Sequence, residues 1–120
     1  MTNSREVNHT MPILIVAAMV IGTLSFDSKQ EGEQVIVIPW VTLPVECQCE
    51  VSMETQRQGA SGVSRSRQKS VQVIQAHRPQ ALATLVLTPA PGDNVLVTVH
   101  VSDGRDIDLT ETWSLDPQKT

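Results

Sequence analysis

Between Val45 and Glu54 the chain reads Val-Glu-Cys-Gln-Cys-Glu-Val-Ser-Met-Glu. Val45, Cys47, Cys49, Val51 and Met53 share one parity, and Glu46, Gln48, Glu50, Ser52 and Glu54 share the other. A helix repeats its faces every 3.6 residues, so a repeat of two held this long predicts a β-strand with one buried and one wet side. The only two cysteines of the chain are therefore expected next to each other on the inward face of one strand.

The rest of the sequence favours the same class. Phe26, Trp40 and Trp113 are the only aromatic residues, so any core must be aliphatic. Valine dominates it, and the branched Cβ of valine sits well on a pleated surface. At 120 residues the chain holds one domain at most. Met11–Leu24 is an apolar run interrupted only by Pro12, Gly22 and Thr23, too short to cross about 30 Å of hydrocarbon as a helix. It fits the apolar part of a signal peptide over residues 1–23, with Gly22, Thr23 and Ser25 near the cut and Met11 as an alternative start. An uncleaved anchor or a buried first strand are the competing readings; cleavage would leave no stable membrane insertion. Removing residues 1–23 takes away Arg5 and Glu6 and leaves the net charge at −4. That acidity argues against nucleic acid as a partner, which calls for a basic footprint and stacking aromatics.

From Leu24 onward short strands alternate with turn chemistry, and no helical stretch is convincing. Expected strands are 24–28, 35–43, 45–57, 63–74, 81–88, 95–101 and one beginning at Ile107. Val35–Leu43 is almost wholly apolar, as for a strand covered on both sides. Pro39 within it cannot donate a ladder hydrogen bond and calls for a bulge or an open edge. Gln58–Gly62 reads as a hairpin loop, Pro89–Asn94 as a strong turn and Asp103-Gly104 as a tight one. Glu111 interrupts the alternation before Trp113 and suggests a bulge. Seven strands with such spacing predict an all-β, seven-stranded antiparallel immunoglobulin-like β-sandwich over residues 24–115, with a polar tail at 116–120. The Cys…Trp…Cys arrangement of antibody domains is absent.

Two constellations are candidate sites. Cys47 and Cys49, two residues apart on an extended strand, have Cα atoms about 6.6–6.8 Å apart, at the outer limit for a disulfide. A bridge needs the strand to pucker, and would be strained and easily reduced. Redox chemistry and simple packing of two small buried side chains both stay open; metal binding is weak, since no His sits at ligand spacing. Arg65, Arg67 and Lys69 form the second constellation. They share a parity with Val71 and Val73, and one face cannot bury valines and three cations together. Either a bulge lies near Ser70, or the first half of the segment is an exposed edge. A row of cations about 6.7 Å apart suits an acidic or polar extended partner, and equally protects an edge from pairing with its own copies. The histidines carry no message: neither His77 nor His100 has an acid at a telling spacing. No nucleophile–base pair, phosphate-cradling loop or paired-carboxylate site is visible, so the chain is expected not to be an enzyme and to need no cofactor or metal.

Several motifs together nevertheless match a known group. Ile38-Pro39-Trp40-Val41-Thr42-Leu43, Cys47-Gln48-Cys49, Gly59-Ala60-Ser61-Gly62, Val99-His100-Val101-Ser102-Asp103-Gly104 and the late Trp113 resemble the CsgC/CsgH group of curli assembly proteins. The likeness runs from Leu24 to about Trp113. It departs at Trp40, where an acidic residue is expected, and at Gln48 between the cysteines. The resemblance implies a periplasmic immunoglobulin-like sandwich that keeps curli subunits, major and minor, from forming amyloid before secretion, without ATP. It also implies a redox alternative for Cys47 and Cys49, and the curli secretion apparatus as a further partner.

Overall fold

Alternating valines and polar residues give strands throughout the part of the chain described by the computed structural model, residues 21–115. Most of the expected signal segment (residues 1–20) and the tail at 116–120 lie outside the described residues. Eight strands follow in order: β1 (Thr23–Glu31), β2 (Gln34–Thr42), β3 (Cys47–Gly59), β4 (Gly62–Ile74), β5 (Gln80–Ala81), β6 (Leu85–Leu87), β7 (Asn94–Ser102) and β8 (Asp108–Leu115). They make two antiparallel sheets. In the first, β2 is flanked by β1 on one side and by β5 and β6 on the other. The second has the order β4-β3-β7-β8.

One core joins the two sheets. Val35, Val37 and Val41 of β2 meet Cys49 and Val51 of β3 and Val95, Val97, Val99 and Val101 of β7, all but excluded from solvent. Burial of a valine side chain contributes roughly 1.5–3 kcal/mol, so the clean alternation of β7 is a main source of stability. Leu24, Phe26, Leu109 and Trp113 close the core at its margin.

The count is eight strands and not seven, and Pro39 explains the difference. Its carbonyl accepts from the Leu82 amide (2.9 Å), so the side on which Pro39 lacks an N–H faces the fifth segment. Pairing with β2 stops there: β5 meets Trp40 and Val41, β6 meets Val35–Val37, and the chain slips between them. The interruption expected from Pro39 thus falls on its neighbour and cuts one strand into two. β2 is also covered on one side only; Ile36, Ile38 and Trp40 on its other side are half-buried with no further layer among the described residues.

Three smaller expectations are corrected. Val45 is exposed, because the chain bends at Pro44 and Val45 and β3 starts at Cys47. Glu111 causes no bulge: β8 keeps unbroken register with β7 from Asp108 to Leu115, and Glu111 is exposed because β8 is an edge. The β7–β8 connection is longer than a tight Asp-Gly turn. The Asp103 carboxylate organises it by accepting from the Arg105 (2.8 Å) and Ile107 (3.0 Å) amides. Those bonds, Ile107's first, hold the Asp103 carboxyl below its ordinary value of 3.8.

At the hairpin end of the second sheet, Pro91-Gly92 forms a turn closed by the Asp93 amide on the Ala90 carbonyl (3.0 Å), with Gly92 at φ 85. Positive φ at the third turn position is what glycine supplies. The buried Asp93 carboxylate accepts from the Ala90 amide (2.9 Å), faces Arg57 (3.7 Å), and packs so close to Gly59 that a Cβ there would overlap it. This contact pins the tip of the β3–β4 hairpin to the body.

Candidate functional site: the β3–β4 hairpin

The turn Ala60-Ser61 sets an unbroken thirteen-pair register from Gly59↔Gly62 to Cys47↔Ile74. No bulge occurs near Ser70. The first half of the segment is instead the exposed edge of the other expectation, and the exposure runs further: Val63, Val71 and Val73 lie outward with the cations and are 61%, 64% and 52% exposed. The inward row of β4 is Ser64, Ser66, Gln68, Ser70 and Gln72, opposite Arg57, Thr55, Met53, Val51 and Cys49. Only Ile74, at the end of β4, enters the core.

Register also decides who faces the cations. Arg67 lies opposite Glu54, Arg65 opposite Gln56 and Lys69 opposite Ser52. Glu54 takes both arginines, Arg65 Nε at 3.4 Å and Arg67 Nη2 at 3.5 Å, and Lys69 Nζ stands 3.9 Å from Glu50. All three cationic side chains keep more than half their surface in water. Exposed pairs at such distances contribute about 0–1 kcal/mol each, and two carboxylates are shared by three cations. The row is therefore held in place but loosely neutralised, and can exchange partners at little cost.

β4 is an edge strand, and its free side has a definite pattern. In a hairpin with a two-residue loop the flanking pair is hydrogen-bonded and alternate pairs follow. Even-numbered residues of β4 thus bond to β3, while Val63, Arg65, Arg67, Lys69, Val71 and Val73 turn their N–H and C=O outward. The far end of that free side is closed by Gln80, whose Nε2 donates to the Val73 carbonyl (3.0 Å) and whose Oε1 accepts from the Gln75 amide (3.3 Å). Gln72 Nε2 donates across to the Leu82 carbonyl in the link between β5 and β6 (3.3 Å). From Val63 to Val71 no such cap is present among the described residues. Between this stretch and β6 runs a groove of about 490 Å³, lined by Ser64, Ser66, Gln68, Leu85 and Leu87.

The cysteines occupy the opposite face. Cys47 is 5% and Cys49 0% exposed, and they are joined as a disulfide with Cα atoms 5.5 Å apart. The strand is puckered relative to the fully extended spacing, which brings the pair into the usual range for a bridge. Cys49 lies opposite Gln72, and Cys47 opposite Ile74, so the two candidate sites share a hairpin but neither a face nor an end. Among the described residues no group of three His, Cys, Asp or Glu side chains converges to hold a metal, and no helix is long and apolar enough to cross a membrane.

Glu50, Glu54 and Gln80 are the residues that sequence reasoning missed. Pairing the strands about the Gly59–Gly62 loop would have placed Glu54 on Arg67; the capping role of Gln80 has no local signal, since it depends on where the two sheet edges meet. His100 requires a correction as well: its Nε2 lies 2.6 Å from Asp108 Oδ1, across the β7–β8 turn rather than along one strand.

Residues 15–113 match the family described as thin aggregative fimbriae synthesis protein, Tafi-CsgC. The chain belongs to that family. It is 34% identical to the curli assembly protein CsgC of Escherichia coli K12 over 110 residues, which are 92% of this chain and all of that protein. The CsgC of Salmonella typhimurium LT2 is 33% identical over 86% of this chain and 95% of its own length. Among solved structures, E. coli CsgC superposes with a TM-score of 0.71 at 35% identity, over 78% of this chain and 98% of that one. R. palustris CsgH shares the fold, with a TM-score of 0.60 at 19% identity over 82% of this chain and 95% of its own. A Tafi-CsgC chain is thus built here as two all-β antiparallel sheets.

Proposed function

We propose that this Tafi-CsgC chain is a periplasmic, non-enzymatic and ATP-independent chaperone that keeps curli subunits from forming amyloid before they are secreted. Residues 1–23 would serve as its export signal, and the two sheets would form a sandwich of immunoglobulin type. The observation that carries the reading is the exposed row Arg65, Arg67 and Lys69 on an edge strand of a curli assembly protein. Amyloid growth needs strand segments and free edges. A small β-protein with a loosely neutralised cationic edge engages such species by weak, salt-sensitive contacts, which slows nucleation without holding every subunit. Both the major and the minor subunit fit this chemistry, and contact with the secretion apparatus would place the chaperone where subunits leave.

The test is thioflavin fluorescence of a purified curli subunit with the protein well below equimolar. A lengthened lag phase is the expected result; an unchanged lag at every ratio overturns the reading. The disulfide supports a second reading, a thiol–disulfide role for Cys47 and Cys49 in curli biogenesis. Its weakness is burial, because inward sulfurs exchange slowly unless the strand opens. Full inhibition by the Cys47→Ser/Cys49→Ser variant would dismiss it.

A further inference from the structure

The geometry points to β-strand addition at the open side of β4: an extended segment of another protein, carrying acidic side chains at alternate positions, pairs with Val63–Val71 and closes the groove over β6. The inference rests on the reading that β4 is the partner-binding edge, and adds how the partner is held.

Three observations converge on it. First, the outward N–H and C=O groups of Val63, Arg65, Arg67, Lys69 and Val71 form an uncapped ladder, whereas the next rung is filled by the Gln80 side chain. An amide side chain bonding to both Val73 and Gln75 imitates a neighbouring strand, and marks where an incoming strand must stop. Second, in a paired strand the residues directly opposite Arg65, Arg67 and Lys69 point to the same outer face. Carboxylates at alternate positions of the newcomer would each meet a cation that now shares Glu54 or stands 3.9 Å from Glu50. Third, the alternate side chains of that strand turn inward, into the groove of about 490 Å³ between the Ser64–Ser66–Gln68 row and Leu85 and Leu87. Leu85 and Leu87 offer that strand apolar contact, while Thr55, Arg57 and Arg65 line the same groove, so small side chains fit there. The partner pattern is therefore acidic outward and small inward.

Charge also decides against a second copy of this chain. Any two-fold antiparallel pairing of β4 with itself centred between Arg65 and Lys69 sets a cation opposite a cation. Shifting the centre toward Val71 runs the pair into the Gln80 cap. The edge repels itself and accepts an acidic strand.

Arg67 permits a clean test, because its N–H faces away from β3. Arg67→Ser removes the charge and keeps the donor, whereas Arg67→Pro removes both, and proline is tolerated at an edge where its nitrogen faces outward. The probe is a synthetic peptide of alternating Asp and Val, about ten residues long, titrated into the isotopically labelled full-length protein. On binding, the amides of Val63, Arg65, Arg67, Lys69 and Val71 should become protected from hydrogen exchange. Those of Ser64, Ser66, Gln68 and Ser70, already bonded to β3, should change little. Arg67→Pro should bind about two- to tenfold more weakly than Arg67→Ser, the loss of one hydrogen bond. No binding, binding without the alternating protection, or equal affinities of the two variants would overturn strand addition. If Arg67→Pro does not fold, the exchange pattern of the unaltered protein decides alone. The chaperone reading stands or falls separately, on the lag phase with a curli subunit.

Discussion

β3 has two neighbours of opposite character. On one side β7 turns Val95, Val97, Val99 and Val101 inward, each 0% exposed. On the other, β4 turns Ser64, Ser66, Gln68, Ser70 and Gln72 to the same side of the sheet and is exposed along nearly its whole length. Both strands pair continuously with β3. Hydrogen bonding therefore does not distinguish them; side-chain burial does. β7 contributes to stability, and β4 is held in strand form by β3, the pinned hairpin tip and the glutamine caps, with little core of its own. A strand kept in shape without being buried is available to a partner.

Matched substitutions give the sharpest contrast. Val99→Asp places a charge in the shared core without a counterion and should destabilise by about 3–5 kcal/mol. Val73→Asp, on the outer face of β4, should cost no more than about 1 kcal/mol. Urea unfolding of the two variants measures the difference, and similar losses would mean that β4 is packed like β7. Next in size is the disulfide. Replacing Cys47 and Cys49 together by Ala opens a very small loop, worth about 1.6 kcal/mol of chain entropy, and also trims buried side chains. The same unfolding experiment should show a loss of about 2 kcal/mol, with thioflavin lag times unchanged if packing and not redox chemistry is the role.

Smaller stability effects are expected on the β4 side. Changing Arg65, Arg67 and Lys69 together to Ser should shift stability by about 1 kcal/mol or less, as the ion pairs are exposed, yet should shorten the inhibited lag phase. Added salt should imitate the change. An unaltered lag would leave the cations with edge protection alone. The smallest effect concerns the β7–β8 loop. The folded-state pKa of Asp103 is depressed by its bonds from the Ile107 and Arg105 amides. Its contribution is therefore fully present above the ordinary value of 3.8 and fades as pH falls through the lower folded value. Thermal melts down through that range should lose slightly less stability in Asp103→Asn than in the parent protein.

Much of this contrast was legible in the residues, and its gaps have physical causes. Alternation over Val45–Met53 located the cysteines on the buried face, but Pro44 bends the chain and leaves Val45 outside. Pro39 announced an interrupted ladder, while which neighbour broke depended on where its carbonyl points. The valines of β4 misled because an apolar side chain need not be buried; nothing local separates Val71 from Val99. Glu54 and Glu50 became site residues only once register was fixed, and Gln80 only once two sheet edges met. Local pattern specifies which residues share a face, and the third dimension decides which faces are covered.

Amide hydrogen exchange along β4 in the free protein tests the open edge most directly. Ser64, Ser66, Gln68 and Ser70 should exchange slowly, bonded to β3, while Val63, Arg65, Arg67, Lys69 and Val71 exchange fast between them. Slow exchange at the odd-numbered positions, or no alternation at all, would contradict an edge held in strand form with one side free.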